Sequence, residues 1–214
     1  MKILAIDTTS KICSTAILED EKIIDENTIN NGLTHSENLM PLIAELLERN
    51  KLNVSDINLI AVCVGPGSFT GIRIGIATIK PMAEICKIPV ASVTSLENLA
   101  KNVNKTNTIV SLIDARNDQV YAGIFDENIN LKQEYIADDI NVVLEKIQKC
   151  DDIIFVGDGS ILHKELILNK FQNAKFSEEN NQNAINVGLI GYKKYLEKDL
   201  KEADSILPIY LRNK

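Results

Sequence analysis

The sequence predicts an α/β protein built from two tandem copies of one unit, each a mixed five-stranded sheet with flanking helices. Two observations lead there. The first is an internal echo. Ile3-Leu4-Ala5-Ile6-Asp7 is followed by a second strand near Ser14 to Leu18 and a third near Lys22 to Ile29, before any helix begins. The other half repeats the order. Val110-Ser111-Leu112-Ile113-Asp114 precedes strands at Val120 to Phe125 and near Leu131 to Ala137, and then a helical pattern from about Asp139 to Lys149. The second observation is an unbroken apolar strand ending in glycine in each half: Leu59 to Val64 before Gly65, and Ile153 to Val156 before Gly157. Such runs suit parallel strands buried on both faces.

Each half thus reads as three hairpin-joined strands, a helix, a parallel strand and another helix. Two such copies side by side describe the actin-like (ASKHA), tandem ribonuclease-H-like architecture. The polar stretch Lys101 to Thr108 is the expected boundary. It divides the chain into domains at 1–104 and 105–214, with the C-terminal tail expected to pack back on the first domain.

The first helix opens at Thr34, where Thr34 and Glu37 form a capping box. Leu39, Leu42, Ile43, Leu46 and Leu47 follow at helical spacing, and Pro41 bends the helix or marks a restart. A second helix, running to about Lys87, starts from Gly65-Pro66-Gly67-Ser68-Phe69-Thr70-Gly71. Three glycines in seven residues permit a sharp turn and a close approach. Ser68 and Thr70 are candidate caps, worth about 1 kcal/mol each. The spacing is neither the dinucleotide G-x-G-x-x-G nor a P-loop, because Pro66 removes a donor and no Lys-Ser/Thr pair follows Gly71. Arg73 stands in the first turn against the helix dipole, which calls for a carboxylate or an interface to compensate it. Gly71, Gly75 and Thr78 form a small-residue stripe beside the apolar Ile72, Ile76 and Ile79.

The composition is that of an ordinary globular chain: 214 residues, 45% hydrophobic, 25% charged. Its net charge of −7 argues against an extended basic surface for nucleic acid phosphates. Met1-Lys2 leads straight into a strand and no apolar run approaches the ~20 residues of a membrane span, so a cytoplasmic protein is expected. Cys13, Cys63, Cys86 and Cys150 share no C-x-x-C spacing and read as reduced core thiols. His35 and His163 are the only histidines, with no H-x-x-x-H pair, so neither metal nor cofactor is predicted.

Ligands of open α/β sheets favour the carboxyl ends of strands. That places Asp7 and Asp114 at equivalent points facing an interdomain cleft, with Gly157-Asp158-Gly159 nearby as further candidates for nucleotide binding. Against this, the hairpin Asp7-Thr8-Thr9-Ser10 has no glycine to bring backbone amides to a phosphate, and Ala115-Arg116 follows Asp114. The alternative is that both aspartates satisfy local hairpin amides or helix ends.

The segments MKILAIDTTSKICSTAIL (1–18), THSENLMPLIAELL (34–47), VGPGSFTGIRIGIA (64–77), IDARNDQVYAGIF (113–125), VGDG (156–159) and the ending Pro208-Ile209-Tyr210-Leu211-Arg212 resemble the TsaB (YeaZ) family along nearly the whole chain. That family supplies the accessory subunit of the bacterial machinery that makes threonylcarbamoyladenosine in tRNA. The resemblance implies a non-catalytic scaffold for threonylcarbamoyl transfer to N6 of adenosine 37 in tRNAs reading codons that begin with A. It implies as partners a metal-bearing catalytic subunit, TsaD, and an ATPase, TsaE, with a homodimer when the partner is absent and tRNA met only through the complex. The first two helices of the N-terminal domain are the implied interface, through His35, Leu39, Leu42, Leu46, Gly71, Ile72, Arg73, Gly75, Ile76 and Ile79. An actin-like ATPase or small-molecule kinase using Asp7 and Asp114 is the alternative. One departure is Lys80-Pro81, where the family usually carries glycine; proline there interrupts a helical hydrogen bond and puts the packing beyond Thr78 in question.

Overall fold

Three consecutive strands open the chain: Lys2–Asp7 (β1), Cys13–Glu19 (β2) and Lys22–Ile29 (β3). They are followed by the helix His35–Arg49 (α1), the strand Leu59–Cys63 (β4), the helix Phe69–Cys86 (α2), the strand Val90–Val93 (β5) and the short helix Ser95–Ala100 (α3). The second half gives Thr108–Asp114 (β6), Gln119–Phe125 (β7), Ile136–Asp139 (β8), Ile140–Lys146 (α4) and Ile153–Val156 (β9). Asp158–Leu162 (α5), Lys164–Lys170 (α6), Lys175–Phe176 (β10) and Ala184–Leu196 (α7) complete it. This computed structural model describes residues 1–30, 34–103, 108–148 and 152–211. The boundary drawn from the sequence between 104 and 105, the helix end at Lys149, Cys150 and Arg212 lie outside the described residues.

The repeat seen in the sequence is a repeat of topology. One sheet has the order β3-β2-β1-β4-β5, and the other, from its β8 edge, β8-β7-β6-β9-β10. In each, the first strand pairs antiparallel with the second (Ala5 opposite Ala16; Leu112 opposite Ala122) and parallel with the fourth (Ala5 beside Ala61; Val110 beside Phe155). These are the two mixed five-stranded sheets of an actin-like, tandem ribonuclease-H-like fold.

The compact units do not follow chain order. Met1–Ser95 joins Gln182–Ile209 in one unit, and Leu96–Asn181 joins Tyr210–Lys214 in the other. The need to cover both faces of each central strand accounts for this. In the first unit Leu4 and Ile6 meet Leu39, Leu42, Ile43 and Leu46 of α1 and Ile72, Ile76 and Ile79 of α2. The alternate residues Ile3 and Ala5 point the other way and meet Val187 and Ile190 of α7, a helix from the far end of the chain. In the second unit Val110 and Leu112 pack with Val143 and Leu144 of α4 and Ile167 of α6. Ile109 and Ile113 meet Leu96, Leu99 and Ala100 of α3, which comes from the first half. Each sheet's second face is therefore covered by a helix from the opposite half of the sequence.

Local chemistry sets the element ends. Thr34 N–H and its hydroxyl both bond the Glu37 carboxylate (3.1 and 2.7 Å), as the capping box requires. Those bonds, the side-chain one foremost, hold the Glu37 carboxyl below its ordinary value. Asp139 caps α4 by accepting from Asn141 N–H at 2.8 Å. The third strand of the second copy starts later than its apolar pattern suggests. Asp126 gathers the amides of Asn128 and Asn130 (2.9 and 2.8 Å) into a turn, leaving Leu131 only an isolated bridge to Phe125. Both prolines are accommodated inside helices: α1 continues through Pro41, and α2 continues through Pro81 with Ile79 and Ala83 buried on either side. Packing thus extends beyond Thr78.

Candidate functional site

The β1–β2 hairpin and the glycine loop after β4 meet in one place. Asp7 is buried at the end of β1, and its Oδ1 accepts from Thr9 N–H (2.8 Å) and Thr9 Oγ1 (2.7 Å). Ser95 Oγ donates to Thr9 Oγ1 at 2.9 Å and lies 3.3 Å from Cys63 Sγ. This chain of side chains closes the carboxyl ends of β1, β4 and β5 from within. Burial, with the Asp7 charge second, pushes the Cys63 thiol well above its ordinary value.

The loop itself is spent on the hairpin. Ser68 N–H donates to Thr9 O at 2.8 Å, and Gly71 N–H is capped by Ser68 Oγ at 3.2 Å. A Cβ added at Gly67 or Gly71 would strike the carbonyl oxygens of Thr9 and Thr8, and one at Gly75 would lie 2.5 Å from Thr8 Oγ1. These glycines admit the hairpin, and their amides are not presented to a phosphate. The small-residue stripe read from the sequence is thereby corrected: it faces the hairpin of its own unit, because Thr8 occupies the space that the missing side chains leave.

The remaining residues named for the interface divide in two. Leu39, Leu42, Leu46, Ile72, Ile76 and Ile79 are all buried in the core between helices and sheet, so their apolar surface is already used. His35 is partly buried, its Nε2 on Ser10 O at 2.7 Å, while its Nδ1 is buried without a partner. Arg73 is exposed, its guanidinium carbon 3.8 Å from the centre of the Phe69 ring. Sequence reasoning passed over the outward ridge Phe69, Arg73, Ala77, Pro81 and Ile85, all exposed and four residues apart. Phe69 is 54% exposed and Ile85 81%, too much apolar area for a helix that needs only its sheet. Met40, 49% exposed on α1, adds to it. The signal was present: Ile85 falls off the stripe of Ile72, Ile76, Ile79 and Ala83.

In the second unit Asp114, Gly157, Asp158 and Gly159 do come together. Asp158 Oδ1 accepts from Asp114 N–H (3.0 Å) and Gly159 N–H (2.8 Å), while Asp114 Oδ1 accepts from Arg116 N–H at 2.8 Å. Gly157 has φ 102°, and its amide is taken by Asn180 Oδ1 at 2.8 Å. Both carboxylates therefore serve local backbone amides, the role weighed against nucleotide binding. His163, at the junction of α5 and α6, is buried with its Nε2 unpartnered. Among the described residues no group of three His, Cys, Asp or Glu is placed to hold a metal ion, and no helix is long and apolar enough to cross a membrane.

The family model of TsaD, tRNA N6-adenosine threonylcarbamoyltransferase, matches residues 23–214. The tRNA threonylcarbamoyladenosine biosynthesis protein TsaB of Bacillus subtilis is 32% identical over 221 aligned residues, covering 99% of this chain and 94% of that protein. TsaB of Haemophilus influenzae is 27% identical, covering 100% of this chain and 94% of its own. The structure of YeaZ from Pseudomonas aeruginosa superposes with a TM-score of 0.84 at 24% identity, over 98% of this chain and 99% of that one, and shares the fold. A family match over most of the chain, with a relative this similar across nearly all of it, establishes that the chain belongs to the TsaB (YeaZ) family, within the broader group that the TsaD family model describes.

Proposed function

We propose that this chain serves threonylcarbamoyladenosine biosynthesis on tRNA as a non-catalytic cytoplasmic scaffold. In this reading it binds a TsaD-like catalytic subunit, works with a TsaE-like ATPase, and meets tRNA only through that complex; without its partner it pairs with a second copy of itself. The threonylcarbamoyl group is transferred by the partner to N6 of adenosine 37 in tRNAs reading codons that begin with A.

One observation carries the scaffold role. At the start of α2 the groups a nucleotide would need are engaged inside the unit, while the outer ridge from Phe69 to Ile85 is left exposed. A ridge of residues four apart is what a second helix interdigitates with. The net charge of −7 supports an indirect route to tRNA, since few phosphates are neutralised by this chain alone.

The test is reconstitution from purified parts. Threonylcarbamoyl transfer to tRNA should require this chain, and the chain should co-elute with the TsaD-like subunit in size-exclusion chromatography. Alone it should hydrolyse ATP only at background. Turnover by the isolated chain, abolished by Asp7→Ala with Asp114→Ala, would replace the scaffold with the ATPase or kinase reading.

A further inference from the structure

Three consecutive residues of the β1–β2 hairpin hold the starts of both helices that carry the proposed partner face. Thr8 Oγ1 donates to Gly71 O in the first turn of α2 at 2.7 Å. Thr9 O accepts the amide of Ser68, the residue that caps α2, at 2.8 Å. Ser10 O accepts from His35 Nε2, at the first residue of α1, at 2.7 Å. A carbonyl oxygen only accepts, so Nε2 carries the imidazole proton. The hairpin is fixed from beneath by the relay Ser95 to Thr9 to Asp7. Thr8 is 1% exposed and Thr9 2%, so water cannot replace these bonds cheaply.

Resting on the scaffold reading above, the geometry points to Thr8 as a positioning residue for partner binding. Its hydroxyl fills the gap between Gly71 O and Gly75 and so sets where the first turn of α2 stands. Phe69 and Arg73 project from that turn. The body of the helix has its own anchors in Ile72, Ile76, Ile79 and Ala83, all in the core. Loss of the hydroxyl therefore frees the turn that presents the ridge while leaving the rest of α2 in place. An interface depends on such preorganisation, because displacing contact residues by a fraction of an ångström spoils the packing at its centre.

The experiment uses the full chain and the TsaD-like subunit, with Thr8→Val, Thr8→Ser and Gly75→Ala. Thr8→Val keeps the shape and removes the donor; Thr8→Ser restores it; Gly75→Ala sets a methyl 2.5 Å from the hydroxyl and tests the seat from the helix side. The expected Kd rises about tenfold, or about 1.4 kcal/mol, for Thr8→Val and Gly75→Ala, and stays within about threefold for Thr8→Ser. Hydrogen exchange in Thr8→Val should quicken at residues 69–73 and stay as in the wild type at 79–86. Wild-type affinity in Thr8→Val overturns the inference, as does a Thr8→Ser as weak as Thr8→Val. If Thr8→Val and Gly75→Ala both fail to fold, the hairpin is a folding element and the inference is wrong. A wild-type chain that does not bind the subunit overturns the scaffold reading itself, and this inference with it.

Discussion

Arg73 stacks its guanidinium on the ring of Phe69, 3.8 Å from the ring centre and one helical turn away. The pair answers the question raised by a cation in the first turn of a helix. A cation–π contact of about 0.5–1 kcal/mol at an exposed site offsets an unfavourable dipole term of similar size, about 0.3–1 kcal/mol. It also stands at one end of the exposed ridge that Ile85 closes at the other.

Phe69→Ala and Ile85→Asp should therefore weaken association and spare the fold. Exposed substitutions away from caps and cores usually cost under about 0.5 kcal/mol, so the melting temperature should fall by no more than about 2 °C. Affinity for the TsaD-like subunit, measured by calorimetry, should drop at least about tenfold. Unchanged affinity in both variants would move the partner surface off α2.

Gly75→Leu should destabilise the protein itself. Leucine raises helix propensity by up to about 1 kcal/mol, but its Cβ alone would lie 2.5 Å from Thr8 Oγ1, a buried atom already bonded to Gly71 O. Overpacking of this kind costs about 1–3 kcal/mol and sometimes more. Urea unfolding should show a lower midpoint; a midpoint equal to the wild type would mean that α2 lifts off the hairpin freely.

The cysteines should differ in reactivity. Burial, then the Asp7 charge, raises the Cys13 thiol to about 11 and the Cys63 thiol further still, so at pH 8 both remain protonated. Cys86 is half-buried. Iodoacetamide at pH 8 should modify Cys86 in the native protein, and Cys13 and Cys63 only after denaturation, as read by peptide mass spectrometry. Early labelling of Cys63 would contradict a closed network at the strand ends.

Asp25 should give the fold a small acid-sensitive term. Arg49, the last residue of α1, grips it through Nε and Nη2 (3.0 and 2.9 Å), and Asn50 Nδ2 adds a bond at 2.8 Å. Burial pushes its pKa up, but the Asn50 and Arg49 bonds outweigh that and hold it below the ordinary value. A carboxylate with a lowered folded pKa contributes stability above its unfolded pKa, about 3.9, and loses it as the pH falls through the folded value. Asp25→Asn should cost up to about 1 kcal/mol at pH 7, with the difference from wild type closing below pH ~3. A constant difference across that range would assign the effect to packing.

Much of the fold was legible because it is local. The runs at Ile3 to Asp7 and Val110 to Asp114 carry their strands in their own periodicity, Thr34 and Glu37 carry their cap, and the three-strand order of each half follows from hairpin spacing. Family membership was legible for the same reason, since it rests on contiguous motifs. Facing was not. Apolar spacing on α1 and α2 says that one side is buried, and Leu39, Ile72 and their neighbours satisfy the sheet before any partner is offered a surface. Gly71 and Gly75 looked like room for a foreign helix until Thr8, more than sixty residues earlier, was seen to fill it.

The sequence by itself determined the strands, the caps, the repeat and the family, because each depends on residues within a few positions of one another or on motifs read in line. Only the tertiary structure decided that α7 covers the first sheet and α3 the second, that the glycine loop closes on its own hairpin, and that Phe69 and Ile85 are left outside. The physical reason is that burial is a competition for area between elements distant in the chain. A residue's apolarity states that it will be covered, while what covers it depends on which face of which sheet is still open when the chain returns.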